Sequence, residues 1–173
     1  RKCIFSILFC FLIYPCVTSA GSRDDFKTVT TSEPSYSEPR SVWGRNMWGA
    51  EGSNNGEFRG PSGIAVDSAG NIYVADTRND RIQKFDRNGK FIAVLGSSGT
   101  GEGKLTNPGD VAVDADGNVY VVDTRNFRIQ KFDIDGNYAA SWGPESEIGS
   151  GFIREPVGIA VDSVGTVYVA DAW

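Results

Sequence analysis

Acidic and basic side chains recur five residues apart in this chain, at the two ends of a loop that is written twice. Asp76 and Arg81 bracket Thr77–Asp80 within D-T-R-N-D-R-I-Q-K-F, and Asp123 and Arg128 bracket the copy in D-T-R-N-F-R-I-Q-K-F. A third copy opens at Asp171 and continues as Ala172-Trp173. A carboxylate and a guanidinium at this spacing suit two chemistries. They can grip a polar ligand, or they can face one another across the base of a hairpin and close it. Asn79 and Asn126 fit a turn, because their side chains bond the local backbone and tolerate left-handed geometry. Identical residues at identical offsets serve what every unit needs. Asp76, Asn79, Arg81, Asp123, Asn126 and Arg128 therefore read as structural turn clamps. Recognition falls instead to the positions that vary between copies. These are Arg78, Arg125 and Trp173 at one offset, and Asp80 and Phe127 at another. Arg, Trp and exposed aromatics are the types that dominate binding hot spots, and ordinary loop drift is the competing explanation.

Other chemistries find less support. The 173 residues include no histidine, and the three cysteines (Cys3, Cys10 and Cys16) precede every repeat. A Ser-His-Asp or Cys-His nucleophile cannot be assembled from these residues, so no catalytic residue is assigned. No zinc ligand set follows Cys16, and no cofactor is expected. Asp114-Ala-Asp116-Gly-Asn118 and Asp133-Ile-Asp135-Gly-Asn137 hint at calcium loops, but they lack the D-x-[DN]-x-[DN]-G spacing and closing Glu of such loops. Hairpin turns are the better reading. Gly96, Gly99, Gly101 and Gly103 before Lys104 resemble a phosphate cradle only loosely, since Leu105 stands where Ser or Thr belongs. Arg78, Arg81, Lys84, Arg125, Arg128 and Lys131 form a recurrent basic series. The net charge of −5, with Asp spread through the same units, weighs against nucleic acid, because phosphate binding needs a concentrated positive field.

The elements that position these residues are legible in the repeat. Residues 61–96 align with 108–143 at an offset of 47, and Pro156 continues the series 48 after Pro108. Each unit begins P-x-[GD]-[IV]-A-V-D, turns at a glycine, and continues [IV]-Y-V-[AV]-D. The decapeptide, a second turn at Asn88-Gly89 or Asp135-Gly136, and a last apolar stretch complete it. The pattern predicts four short strands per unit, in the first Ile64–Val66, Ile72–Ala75, Arg81–Phe85 and Phe91–Leu95. Val, Ile, Tyr and Phe suit a pleated surface, and Asn-Gly or Asp-Gly between strands signals a hairpin. Four strands in a unit of this length match a propeller blade. Strands apolar on both faces, such as Val119-Tyr120-Val121-Val122, suit blades covered on both sides. The expected fold class is all-β, with four-stranded antiparallel β-propeller blades over 41–173 (repeats near 49–95, 96–142 and 143–173). About three blades are present where closed propellers usually have four to eight. Ser41–Trp48 resembles the fourth strand of a unit and is expected to close the ring against a last blade.

Before the repeats, Arg1-Lys2, the apolar run Ile4–Tyr14, Pro15 and the small residues Thr18-Ser19-Ala20 describe a signal peptide over 1–20. A signal anchor is the alternative, although a span needs about 20 apolar residues. Removing 1–20 takes away two basic residues and every cysteine, leaving a net charge of −7. Residues 21–40, rich in Ser, Thr, Glu and Pro, read as a disordered linker. The expected location is secreted or extracytoplasmic, with membrane anchoring as the alternative and no membrane span in the mature chain.

The run from Trp48 to Phe85 follows W-G-x-x-G-x-x-x-G-x-F-x-x-P-x-G-I-A-V-D-x-x-G-N-I-Y-V-A-D-T-x-N-x-R-I-Q-K-F almost throughout. It resembles the NHL repeat, and the resemblance covers residues 41 onward. The resemblance implies a β-propeller, usually of six blades, that presents loops to partners. Similar proteins include RNA-binding tripartite-motif proteins, secreted and membrane-tethered sensors, and the peptide α-amidating lyase. Asp110 departs from the pattern where the other units have Gly63 and Gly158, as do Ala172-Trp173 in place of Thr-Arg. The expected function is an exported, non-enzymatic binding or scaffold module for protein or another extracellular ligand. An exported propeller lyase with metal ligands in further blades is the alternative. RNA binding or ubiquitin-ligase targeting ranks behind both.

Overall fold

Short stretches of Val, Ile, Tyr and Phe between glycine-bearing turns become strands throughout the repeats. The computed structural model describes residues 17–19, 27–29, 48–143 and 153–172. Upstream, β1 (Val17–Ser19) pairs antiparallel with β2 (Lys27–Val29), in the stretch read as the exit of the signal peptide and the linker. The rest of those two segments, and the ring-closing residues 41–47, lie outside the described residues.

Two sheets of four antiparallel strands follow. The first orders β5 (Ile64–Val66), β6 (Ile72–Asp76), β7 (Arg81–Phe85) and β8 (Phe91–Leu95). The second orders β11 (Pro108–Val113), β12 (Val119–Asp123), β13 (Arg128–Phe132) and β14 (Tyr138–Trp142). A third unit supplies β15 (Pro156–Val161) and β16 (Val167–Asp171) as an antiparallel pair. These are propeller blades, and the strands expected in the first unit agree with those observed to within one residue.

The loop that leads into each of the first two blades carries a parallel bridge not foreseen from sequence. β3 (Ala50–Glu51) pairs with β4 (Glu57–Phe58), and β9 (Ser97–Ser98) pairs with β10 (Lys104–Leu105). The bridge sets one apolar residue of each loop against a sheet, Leu105 between the two blades and Phe58 on the outer face of the first. Phe58 and Leu105 are fully buried there, and Ile153 occupies the matching place before β15. Leu105 joins Tyr73, Ala75, Ile82 and Leu95 of the first blade with Val111, Val119, Val121 and Phe132 of the second. Ile153 closes the next junction with Tyr120, Val122 and Ile129, flanked by Ile159 and Val169. All five residues of β6 and of β12 are buried, as sheets covered on both faces require. Trp48 packs on Phe58 and Phe85 with ring centroids 5.8 and 4.5 Å apart. It lies against Gly89 as Leu95 lies against Gly136. Trp48 thus takes the place of a preceding blade's last strand residue, in line with its alignment to Leu95.

The turns at the other end of each blade are longer than two-residue hairpins. In the turn from Asp86 to Lys90, the Asp86 N–H donates to the Lys90 carbonyl and the Gly89 N–H to the Asp86 carbonyl. Only the glycine enters the left-handed region, at φ 83°. Asn88 does not, because the Asp86 carboxylate accepts the Asn88 and Lys90 N–H groups and holds a right-handed turn before it.

Candidate functional site

Asp76 ends β6 and Arg81 begins β7, directly paired across the strands. Between them Thr77–Asn79 forms one 3-10 turn. The Asp76 carboxylate is fully buried. Arg81 Nε donates to Oδ2 at 2.7 Å, Gln83 Nε2 donates to the same oxygen at 3.0 Å, and Asn79 Nδ2 reaches both oxygens. The Arg59 N–H donates to Oδ1 at 2.7 Å. The donors continue into the entering loop. Arg81 Nη2 bonds the carbonyls of Asn54 and Glu57, Asn79 Nδ2 that of Gly52, and Gln83 that of Glu57.

The second unit repeats this arrangement. Asp123 accepts from Arg128 Nε at 2.8 Å, from Asn126, from Gln130 and from the Thr106 N–H. In the third, the Asp171 carboxylate accepts the Arg154 and Glu155 N–H groups. The six residues read as clamps are therefore brought together, three in each blade. Each set sews the entering loop onto its own hairpin, so that the wedge residue is driven inward.

Gln83 and Gln130 belong to these networks and were not singled out from sequence. Both are fully buried, and each Oε1 accepts a loop N–H, from Gly56 and Gly103. The available signal was a glutamine repeated between two apolar residues in R-I-Q-K-F. Asp110, which departs from the repeat pattern, makes a cross-unit bond of its own. Its Oδ2 accepts the Ile159 N–H at 3.0 Å and ties β11 to β15. A Cβ on Gly63 would lie 2.4 Å from Asp110 Oδ1 and 2.6 Å from its Cα, which accounts for glycine at that position.

The recurrent basic series does not form one surface. Arg81 and Arg128 are held in the clamps with about an eighth of each side chain exposed. Lys84 and Lys131 lie over the rings of Tyr73 and Tyr120 at 5.0 and 5.3 Å. Arg78 and Arg125 stay exposed on the 3-10 turns. The acidic turns at the opposite end also look inward. Asp67 accepts from Asn71, Tyr73 and Ala69, and Asp114 from Asn118, Tyr120 and Asp116. Burial alone pushes both carboxyls up. The asparagine side chain and N–H, the tyrosine hydroxyl and a second N–H more than offset that and hold both groups below the usual carboxylate range.

A folded-state value below the unfolded one stabilises the protein above the ordinary carboxylate range, and the contribution is lost as pH falls through the folded value. Asn118→Ala should therefore lower stability most at neutral pH. Its deficit should shrink in denaturant titrations run below about pH 4. A deficit independent of pH would show that the asparagine acts by packing alone.

The variable positions part company. Asp80 and Phe127 share the left-handed conformation at φ 54°. The Asp80 carboxylate reaches into the next blade's entering loop, accepting from Ser98 Oγ at 2.8 Å and the Asn107 N–H at 2.7 Å. Phe127 has no such polar hook and is half exposed, at 49%. With Thr124, Arg125, Arg154 and Glu155 it lines a cleft of about 490 Å3 at the junction of the second and third units. Trp173 lies outside the described residues.

Residues 58–85 and 105–132, which hold the wedge, the clamp and three strands of each complete blade, match the family model for the NHL repeat. The two units are NHL repeats. Over 73 residues the chain is 41% identical to the B-box type zinc finger protein ncl-1 of Caenorhabditis elegans, covering 41% of this chain and 9% of that protein. Over 46 residues it is 50% identical to protein lin-41 of the same organism, covering 27% of this chain and 4% of the other. The chain thus spans less than a tenth of the length of these curated relatives. Among solved structures, virginiamycin B lyase from Staphylococcus aureus superposes with a TM-score of 0.54 at 15% identity, covering 91% of this chain and 42% of that one. A chain of the nidogen/laminin complex gives 0.52 at 21%, covering 69% and 42%. At such identities these two likenesses speak for the propeller fold shared with the NHL blades, and for nothing finer.

Proposed function

We propose that the NHL blades act as an exported, non-enzymatic binding platform for protein, with recognition on the blade end that carries the 3-10 turns. One observation carries the reading. Within the same loops, the invariant Asp, Asn and Arg side chains are spent on internal bonds, while Arg78, Arg125 and Phe127 stand exposed. Phe127 adds weight, since a bulky residue at positive φ is an outlier and such strain costs on the order of 1–3 kcal/mol. One curated relative, named as a B-box type zinc finger protein, matches over 73 residues that make up 9% of its length, which suits a module attached to other parts of a longer protein. Export rests on Arg1-Lys2 followed by the apolar run Ile4–Tyr14.

The test is quantitative co-purification of the full-length protein from the secretory fraction of producing cells. The combined variant Arg78→Ala, Arg125→Ala, Phe127→Ala should lose its associated proteins by about tenfold or more, as hot-spot removal does, with its melting temperature unchanged. Unaltered association would refute the surface, and absence from the secretory fraction would refute export.

A further inference from the structure

Resting on that platform reading, we propose that the junction of the second and third units is an anchor site for an acidic peptide segment. A side-chain carboxylate of the peptide is received by Arg125, with Arg154 on the opposite wall, and an adjacent apolar side chain lies on Phe127. Two replacements set this junction apart from the earlier one, Phe127 for Asp80 and Gly109 for Ser62. The five lining positions, Thr124, Arg125, Phe127, Arg154 and Glu155, correspond by the repeat to Thr77, Arg78, Asp80, Thr106 and Asn107. At the earlier junction Asp80 bridges to the Asn107 N–H and to Ser98, and Ser62 ties Thr77 to the Gly109 carbonyl across the same gap. At the later junction the hook is replaced by an aromatic ring, and position 109, equivalent to Ser62, is glycine. Among the described residues, the second junction keeps a bond from Thr124 Oγ1 to the Pro156 carbonyl at 3.4 Å but has no counterpart of the Asp80 and Ser62 ties.

The lining sets the ligand class. A guanidinium takes a carboxylate through two parallel hydrogen bonds, and an exposed aromatic beside it is the usual apolar half of a peptide anchor. Glu155 on the wall disfavours a dense polyanion and leaves room for one carboxylate with a donor group next to it. The overall charge of −5 points the same way, because a nucleic-acid backbone needs a continuous positive track.

The experiment uses the full chain and fluorescent peptides of alternating Glu and Tyr, with a Gln-Tyr peptide and a single-stranded RNA of equal length as rivals. Fluorescence anisotropy should show the Glu peptide bound about tenfold or more tightly than the Gln peptide, a margin typical of a charge-complementary contact. Phe127→Asp, which installs the hook and a repelling charge, should abolish that preference without lowering the melting temperature. Equal binding of the two peptides, preference for the RNA, or a preference that survives Phe127→Asp would each overturn the proposal. If the Glu preference fails while the triple variant still loses its associated proteins, the ligand class is wrong and the platform stands. If both fail, the platform reading falls as well.

Discussion

Replacing Asp123 by alanine should cost about 3–5 kcal/mol, the range found when one member of a buried ion pair is removed. The carboxylate is fully buried and serves four donors, namely Arg128 Nε, Asn126 Nδ2, Gln130 Nε2 and the Thr106 N–H. Alanine leaves all four without their acceptor. Gln130 is itself fully buried and cannot turn to solvent. Arg128 is less constrained, since part of its side chain is exposed and Nη2 keeps the Gly101 carbonyl. Arg128→Ala leaves the buried Asp123 carboxylate without its counter-ion and should cost about as much as Asp123→Ala, while Asp123→Asn, which keeps an acceptor, should fall between wild type and alanine. A loss of this size shifts a chain of such length by roughly 10 °C in melting temperature. Guanidinium chloride unfolding of the three variants checks the order. If Asp123→Ala lost under about 1 kcal/mol, the value of an ordinary hydrogen bond, the network would be no more than surface decoration. A ligand-gripping role for Asp123 predicts the opposite pattern, with binding lost and stability kept.

Strand positions were readable because the repeat supplies each of them twice and because turn glycines fix their ends. The pairing of Asp76 with Arg81 was readable for the same reason, since a loop of known length sets which residues meet across it. The partners beyond the hairpin were not. Gln83 and Gln130 bond to a loop 26–27 residues upstream. Nothing local distinguishes such a glutamine from one on an exposed strand face. The parallel bridges were equally hidden, because each has only two residue pairs and no apolar alternation. Asn79 and Asn126 were expected in the turn as residues that bond the local backbone and tolerate left-handed geometry. The structure gives that conformation to Asp80 and Phe127, one position later, because each asparagine amide is engaged by the clamp carboxylate. The variation between Asp80 and Phe127 was visible in sequence as a difference. Its consequence, one junction hooked and the next left as a cleft, depends on a loop of the following blade and could be seen only in three dimensions.

Leu105→Ala should be the second most damaging single change, and it tests how the blades are joined rather than how each is folded. Leu105 is fully buried between two sheets and contacts both through the shared cluster. Its Cδ1 lies so near Gly96 that a Cβ there would approach to 2.4 Å. Truncating a buried leucine costs about 2–5 kcal/mol, and the upper part of that range belongs to sites that cannot collapse. This site is of that kind. The two sheets are kept apart by Tyr73, Val111 and Phe132 around the leucine, and the clamp of the second blade fixes the loop that carries it. The blades cannot close on the cavity without breaking those bonds. In a stacked array the interface between neighbours also carries the cooperativity. Leu105→Ala should therefore both lower the unfolding midpoint and broaden the transition, as the first blade becomes able to melt apart from the second. Asp123→Ala loosens the loop as well, but Leu105 remains to cover the junction. Its transition should stay sharper at equal loss of stability. A sharp, single transition for Leu105→Ala with a loss under about 1 kcal/mol, well below the cost of truncating a buried leucine, would mean that the sheets are held together by their inner strands and that the wedge contributes little.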